Sequence, residues 1–324
     1  MRKALAPIAF VALFAVVIGL LNVLRGDPDP RPVDEAAEPV DETDLPDFVP
    51  AGQRAEVAEL RRGIRDALGR DAAAFRALRE KTPEDGSHRV EWLRFFRPEV
   101  DLAVRSADGA AGSAALGFVR AALGAAGSPA RELVNGPAYR DTWIRALKSG
   151  TPELRVAALR LAGVLDGEPN RARAAAALDD PAAGVRIAAI DVYILLGGSA
   201  PRLASRYDGE TDERVRLSIL MAFGTAPAPR GPEVLGIEAR AIGGTPDSLR
   251  IQTMRNLAKF RDQDLLDAVI ANLDSPSIPV RKCALETMAR LRDRRALERL
   301  RRHAEKEEDE ALAGLTRKVI AGLE

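Results

Sequence analysis

The chain has a single cysteine, Cys283, and only two histidines, His88 and His303, in 324 residues. One thiol excludes an intramolecular disulfide framework. The histidines lie far apart, and neither belongs to a His-x-x-x-His or Glu-x-x-His pair, the spacings that put two metal donors on one helix face. They read as solvated side chains, with Glu305 or Glu307 close enough in sequence to pair with His303. Net charge is missing too, since 48 basic residues balance 48 acidic ones, and no global field argues for nucleic acid. The sequence also lacks a Gly-x-x-x-x-Gly-Lys-Ser/Thr phosphate loop, a Gly-x-Gly-x-x-Gly turn after a strand and a Gly-x-Ser-x-Gly nucleophile elbow. Carboxylates such as Asp264 and Asp267 are dispersed among basic residues, as on solvated helix faces. The residues therefore assign no catalytic group, no metal ligand and no cofactor.

What the chain does have is a repeat. A short pattern returns around Arg155, Arg186, Arg216, Arg250 and Arg281, at intervals of 31, 30, 34 and 31 by subtraction. A period near thirty indicates a solenoid of stacked supersecondary units. Four places after each arginine stand Leu159, Ile190, Leu220, Met254 and Leu285; seven places after stand Ala162, Tyr193, Phe223, Leu257 and Met288. Together with the aliphatic residue just before each arginine, these columns form one buried stripe of an α-helix. Pro152, Pro181, Pro246 and Pro276 precede the stripes, where a missing N–H costs little in a first helical turn. Most units carry a second, less regular helix, over residues 171–178, 233–242, 264–273 and 294–304. A single hairpin of this kind cannot bury its stripe, so stacking must supply the core.

The pattern Asp-x-x-x-x-x-Val-Arg-x-x-Ala followed by a second amphipathic helix resembles HEAT repeats, in particular the short HEAT-like class found in phycobilin lyases. It is clearest over residues 180–197 and 274–291, and the resemblance extends over roughly residues 140–323. It implies a scaffold that holds other macromolecules. It also implies that the arginine of one repeat bonds the acid of its neighbour, which gives Arg155, Arg186, Arg216, Arg250 and Arg281 a structural role. The acid is present as Asp179 or Asp180, Glu210 and Asp274, and missing ahead of Arg155 and Arg250. A final unit with Leu312, Thr316, Val319 and Leu323 has Ala313 in place of the arginine, as an atypical terminal cap would. Metal hydroxylases built on such repeats carry paired His-Glu motifs that have no counterpart here.

Ahead of the array the composition changes twice. After Arg2 and Lys3, residues 4–24 are uncharged and apolar apart from Gly19 and Asn22. At about 1.5 Å per residue they span about 31 Å, one bilayer core. Residues 1–25 are thus expected to form a retained signal anchor rather than a cleaved signal, with the N-terminus cytoplasmic and the repeats extracytoplasmic. Residues 26–51 read as an acidic linker: over residues 26–50, nine acidic residues face the single basic Arg31, a net charge of 1 − 9 = −8, with six prolines. Residues 52–148 are helical in pattern but poor in the repeat signature, as diverged repeats or a cap would be. Val57, Leu60, Ile64 and Leu68 form one stripe, Asp71 caps a short helix carrying Phe75 and Leu78, and Pro98 ends a helix begun near Val90. Residues 114–124 and 141–147 read as two more helices.

The expected fold is therefore all-α: an α-solenoid of HEAT-like hairpins over residues 149–324 with a C-terminal cap, plus one N-terminal transmembrane helix. The expected function is that of a membrane-tethered, non-catalytic scaffold that binds a protein partner outside the cytoplasm. Two other classes stay open. One is an enzyme of a HEAT-like family, of lyase type, with dispersed site residues. The other binds nucleic acid or anionic lipid through the basic helix near the C-terminus. That helix offers Arg295, Arg299 and Arg302 as partner contacts, although four-residue spacings such as Arg294 to Glu298 and Glu298 to Arg302 suit intrahelical pairs. Cys283 shares a small-residue column with Ala157, Ala188 and Ser218 and reads as a small core residue.

Overall fold

A computed structural model describes residues 44–106, 108–124, 128–165, 167–225 and 231–324. Among them are seventeen α-helices and no strand. In chain order these are α1 (Ala51–Asp66), α2 (Ala72–Glu80), α3 (Gly86–Arg105), α4 (Gly109–Leu123), α5 (Ser128–Asn135), α6 (Pro137–Leu147), α7 (Pro152–Ala162), α8 (Glu168–Ala177) and α9 (Ala183–Leu195). There follow α10 (Ala200–Tyr207), α11 (Glu213–Phe223), α12 (Pro232–Ala241), α13 (Asp247–Phe260), α14 (Leu266–Ala271), α15 (Ile278–Leu291), α16 (Leu297–Lys306) and α17 (Glu310–Leu323).

The arginine-aligned stripes become α7, α9, α11, α13 and α15, which pack side by side in one layer, with α17 closing it. Their stripe residues form the core: Leu159, Ile190, Leu220, Met254 and Leu285 are all buried, as are Val185, Val215, Leu249 and Val280 just before the arginines. Burial of each such side chain is worth about 1.5–3 kcal/mol. Of the prolines read as start signals, Pro152 opens α7 and Pro246 is the N-cap of α13. The second helices α8, α10, α12, α14 and α16 each pack against the first helix that follows them in the chain.

The same layer continues into the amino-terminal part. Helix α4 packs on α7, and α2 packs on α4, with α3, α5 and α6 on the second-helix side of the chain order. The close approach of α4 needs a residue without a side chain: a Cβ on Gly112 would sit 2.8 Å from Leu154 Cδ1. So the part before residue 148 adds two more layer helices, which the arginine pattern did not reveal.

Several boundaries differ from the expectations. Pro98 does not end a helix but lies inside α3. Continuing the helix buries Val100, Ala103 and Val104 and lets Glu99 bind Arg61 and Arg65, which outweighs the roughly 3 kcal/mol that an interior proline costs. Leu68 is not part of the α1 stripe. It is 57% exposed, with a φ of 49°, because the chain reverses at Gly69, where a Cβ would come 2.6 Å from Ala103 N. Helices α5 and α10 were not expected; both are only 8 residues long, too short for periodicity to stand out. Asp71 does cap α2, accepting from Ala74 N at 2.9 Å.

The expected localisation, a single-pass membrane protein with extracytoplasmic repeats, is corrected: no helix among the described residues is long and apolar enough to cross a membrane. The apolar run over residues 4–24 and most of the acidic stretch lie outside the described residues.

Candidate functional site

The repeat arginines lie in a row at the loops that lead into the first helices. Arg155 is clamped by Asp180, Nε to Oδ2 and Nη2 to Oδ1 both at 2.8 Å, while its Nη1 donates to the Ser149 carbonyl at 2.7 Å. Arg186 repeats this one unit on, with Glu210 at 2.8 Å through both oxygens and Nη1 donating to the Asp180 carbonyl at 2.9 Å. Arg281 does the same with Glu307, at 2.8 and 2.9 Å, and with the Ser275 carbonyl. Each acid also accepts a main-chain N–H two residues on, from Ala182, Asp212 and Asp309. Each arginine thus ties its own entry loop to the next one, through the bidentate geometry that guanidinium and carboxylate share.

These carboxylates are held ionised. Burial works against the charge on Asp180 and Glu210, but the hydrogen bonds from Arg155 and Arg186, the main-chain N–H groups and the nearby positive charges outweigh it and lower both pKa values. At Glu307 the Arg281 hydrogen bond is the largest influence, and its pKa is likewise lowered.

Two positions in the row are built differently. Arg216 lies over the Tyr207 ring, 4.6 Å from its centroid. Arg250 donates to Asn272 Oδ1 at 2.9 Å and to Asp247 Oδ1 at 3.3 Å, with Ser275 Oγ at 3.4 Å. The acid sits six residues before an arginine or its stand-in: Asp180 before Arg186, Glu210 before Arg216, Glu307 before Ala313. By that register the partners of Arg216 and Arg250 would be Gly244 and Ser275, neither of which is acidic. Asp274, one place off, instead pairs with Arg299. Glu307 was missed as a partner of Arg281 because the cap that carries it has lost its own arginine; counting back six from Ala313 would have found it.

The three arginines offered as partner contacts are all engaged within the chain. Arg295 is held by Asp293, with Nη2 2.6 Å from Oδ2, Arg299 by Asp274, and Arg302 by Glu298 at 2.8 Å. Neighbouring Arg301 pairs with Glu324 at 2.6 Å. The second-helix surface at this end is therefore largely neutralised.

A hollow of about 450 Å³ opens beside α3 and α6 against Arg105, Arg145 and Lys148, where Asp101 pairs with both arginines, and one of about 380 Å³ lies between the first helices α13 and α15, with Cys283 at its floor. Cys283 is 6% exposed and its Sγ faces the Ile251 carbonyl at 3.7 Å; burial pushes its thiol pKa up. His88 stacks on Phe48 with ring centroids 4.6 Å apart, and His303 is buried against Glu307 at 3.2 Å, close but not aligned as a hydrogen bond. No group of three or more His, Cys, Asp or Glu side chains among the described residues is arranged to hold a metal.

A layered stack of helices laced by arginine–carboxylate pairs defines a helical-repeat protein, and residues 236–320 match the family model for HEAT repeats. Over that stretch the sequence is similar to HEAT repeats, and the stacked helical hairpins agree with it. None of the curated proteins matches it. Among solved structures it is similar to human deoxyhypusine hydroxylase in complex with glycerol, at 14% identity, over 84% of this chain and 99% of that one, with a TM-score of 0.33. A likeness that low carries no argument about activity.

Proposed function

We propose that the chain is a helical-repeat scaffold that binds a protein partner on its solvent-facing helices. The observation that supports it most is where the perturbed carboxylates lie. Asp180, Glu210 and Glu307, whose pKa values are lowered, are tied to the repeat arginines and hold entry loops together. A catalytic centre gathers such groups around a cavity; here they serve the stack, and the stack offers a long row of helices as surface. On this reading Arg155, Arg186, Arg216, Arg250 and Arg281 keep the repeats in register.

Crosslinking of the full-length protein in the cells that make it, followed by purification and mass spectrometry, tests this reading. A protein that accompanies the chain reproducibly, with crosslinks on exposed first- or second-helix residues, supports it. Crosslinks to nucleic acid or lipid alone would overturn it.

A further inference from the structure

The uncompensated charge near the C-terminal end of the array lies on the first helices. Arg255 on α13, Lys282 and Arg290 on α15 and Lys318 on α17 are exposed, and among the described residues none of them makes an ion pair or a side-chain hydrogen bond. Lys259 joins them from α13, with its Nζ donating to the Gly224 carbonyl. The acids in the same register are Glu286 and, on α9, Asp191. The contrast with the surface of α16 and the turn before it, where Arg295, Arg299, Arg301 and Arg302 each pair with a carboxylate of the chain, is what gives this face its sign.

Register places these residues in two rows. Over α9 to α17, five places after the repeat arginine, or after Ala313, stand Asp191, Met221, Arg255, Glu286 and Lys318; nine places after stand Leu195, Thr225, Lys259 and Arg290. Toward the amino-terminal end no cation stands in either row, and exposed apolar side chains appear beside Asp191. Leu195 is 68% and Met221 54% exposed, two of the four large hydrophobic side chains so exposed among the described residues. Between α13 and α15 the floor of the hollow is small, made by Ala258, Cys283 and Thr287, with Arg255, Lys259 and Arg290 on its walls.

Resting on the scaffold reading above, we propose that this face, from α9 to α17, docks an acidic polypeptide segment that carries an apolar anchor at one end. The anchor covers Leu195 and Met221, and carboxylates meet Arg255, Arg290 and Lys318. Adjacent helices lie about 8–10 Å apart, and a polyproline-II chain advances about 3.1 Å per residue with three residues per turn, so a segment crossing the helices in that conformation presents one side chain per helix at every third position. The fitting pattern is an apolar residue followed by acids at three-residue intervals. A uniform polyanion fits less well, because Glu286 stands among the cations and the apolar end would meet phosphates.

The test uses the full chain and fluorescein-labelled peptides of the form Leu-x-x-Glu-x-x-Glu-x-x-Glu, with Ser and Ala at x, in both sequence directions, read by anisotropy at low and physiological salt. Wild type should bind one direction, with affinity that weakens as salt rises. R255E combined with R290E should weaken binding about tenfold or more, and M221S several-fold, while R295E/R299E/R302E should bind like wild type. All substituted positions are on the surface, and melting curves confirm that each variant folds. The proposal is overturned if neither peptide binds, if R255E/R290E binds as wild type does, if the α16 variant loses binding, or if duplex DNA of similar length binds more tightly and with the same variant dependence. Should a partner be recovered by crosslinking while the peptides fail, the scaffold reading stands and this surface does not.

Discussion

The guanidinium of Arg216 stacks over the ring of Tyr207, 4.6 Å from its centroid, at the place in the row where Arg186 meets the two oxygens of Glu210. The substitution of a ring for a carboxylate follows from Gly244, which stands where the next acid would be. The two arginines should therefore differ in what they contribute. Arg186→Ala leaves Glu210 half-buried without its partner and should cost about 2–3 kcal/mol. Arg216→Ala loses a cation–π contact and should cost about 1 kcal/mol. Urea denaturation of both variants checks this, and equal losses would mean that the carboxylate adds nothing beyond packing.

The unfilled position at Ser275 can be repaired. Its Oγ accepts from Ser277 N at 3.2 Å and lies 3.4 Å from Arg250 Nη1, the same two contacts that the Asp180 carboxylate makes with Ala182 N and Arg155. Ser275→Asp should stabilise the chain by about 1 kcal/mol, raising the melting temperature by about 2–4 °C for a unit of this size. A lower melting temperature would show that burial of the new charge outweighs its pairing.

Core register gives a third expectation. Val185 is 1% exposed in the α9 stripe, whereas Arg171 on α8 is on the surface beside Glu168. Val185→Asp puts an unpaired charge between packed helices and should cost several kcal/mol, while Arg171→Ala should change stability by no more than about 0.5 kcal/mol. Thermal melts of the two variants separate these outcomes, and overlapping curves would contradict the packing described for α9.

The repeats from Arg155 to Arg281 were legible because their stripes recur in fixed columns, so each unit supports the reading of the next. Before residue 148 that support is missing. Helices α2 and α4 join the same layer without an arginine, and α4 does so through the close contact of Gly112 with Leu154, which no periodicity signals. Pro98 misled for a related reason: local propensity opposes a helix there, and only the burial of Val100, Ala103 and Val104 explains its continuation. The charged surface was legible by composition and not by pairing. Arg299 finds Asp274 across 25 residues of sequence, and a partner that far away is fixed by the fold alone.

The terminal unit should respond to pH in two steps. His303 is buried beside Glu307, with Arg281, Asp274 and Arg299 also acting on it; burial lowers its pKa below the ordinary 6.5, and the Glu307 charge only partly restores it. The unfolded chain therefore takes up a proton at this residue before the folded one does. Stability from His303 is present above about pH 6.5 and is lost as pH falls through its lowered folded pKa. Glu307 follows the same sign in a lower window, because the Arg281 hydrogen bond leads the influences that hold its pKa below 4.5. Its contribution is complete above that value and is lost on further acidification. Urea midpoints measured from pH 8 to about pH 2.5 should fall in wild type from about pH 6.5 downward, at no more than about 1.4 kcal/mol per pH unit for one proton. His303→Gln should remove the upper limb and keep the lower one, and Arg281→Ala should flatten the lower one. If His303→Gln leaves the slope between pH 7 and pH 5 unchanged, the upper step belongs to some other group and the assignment to His303 fails.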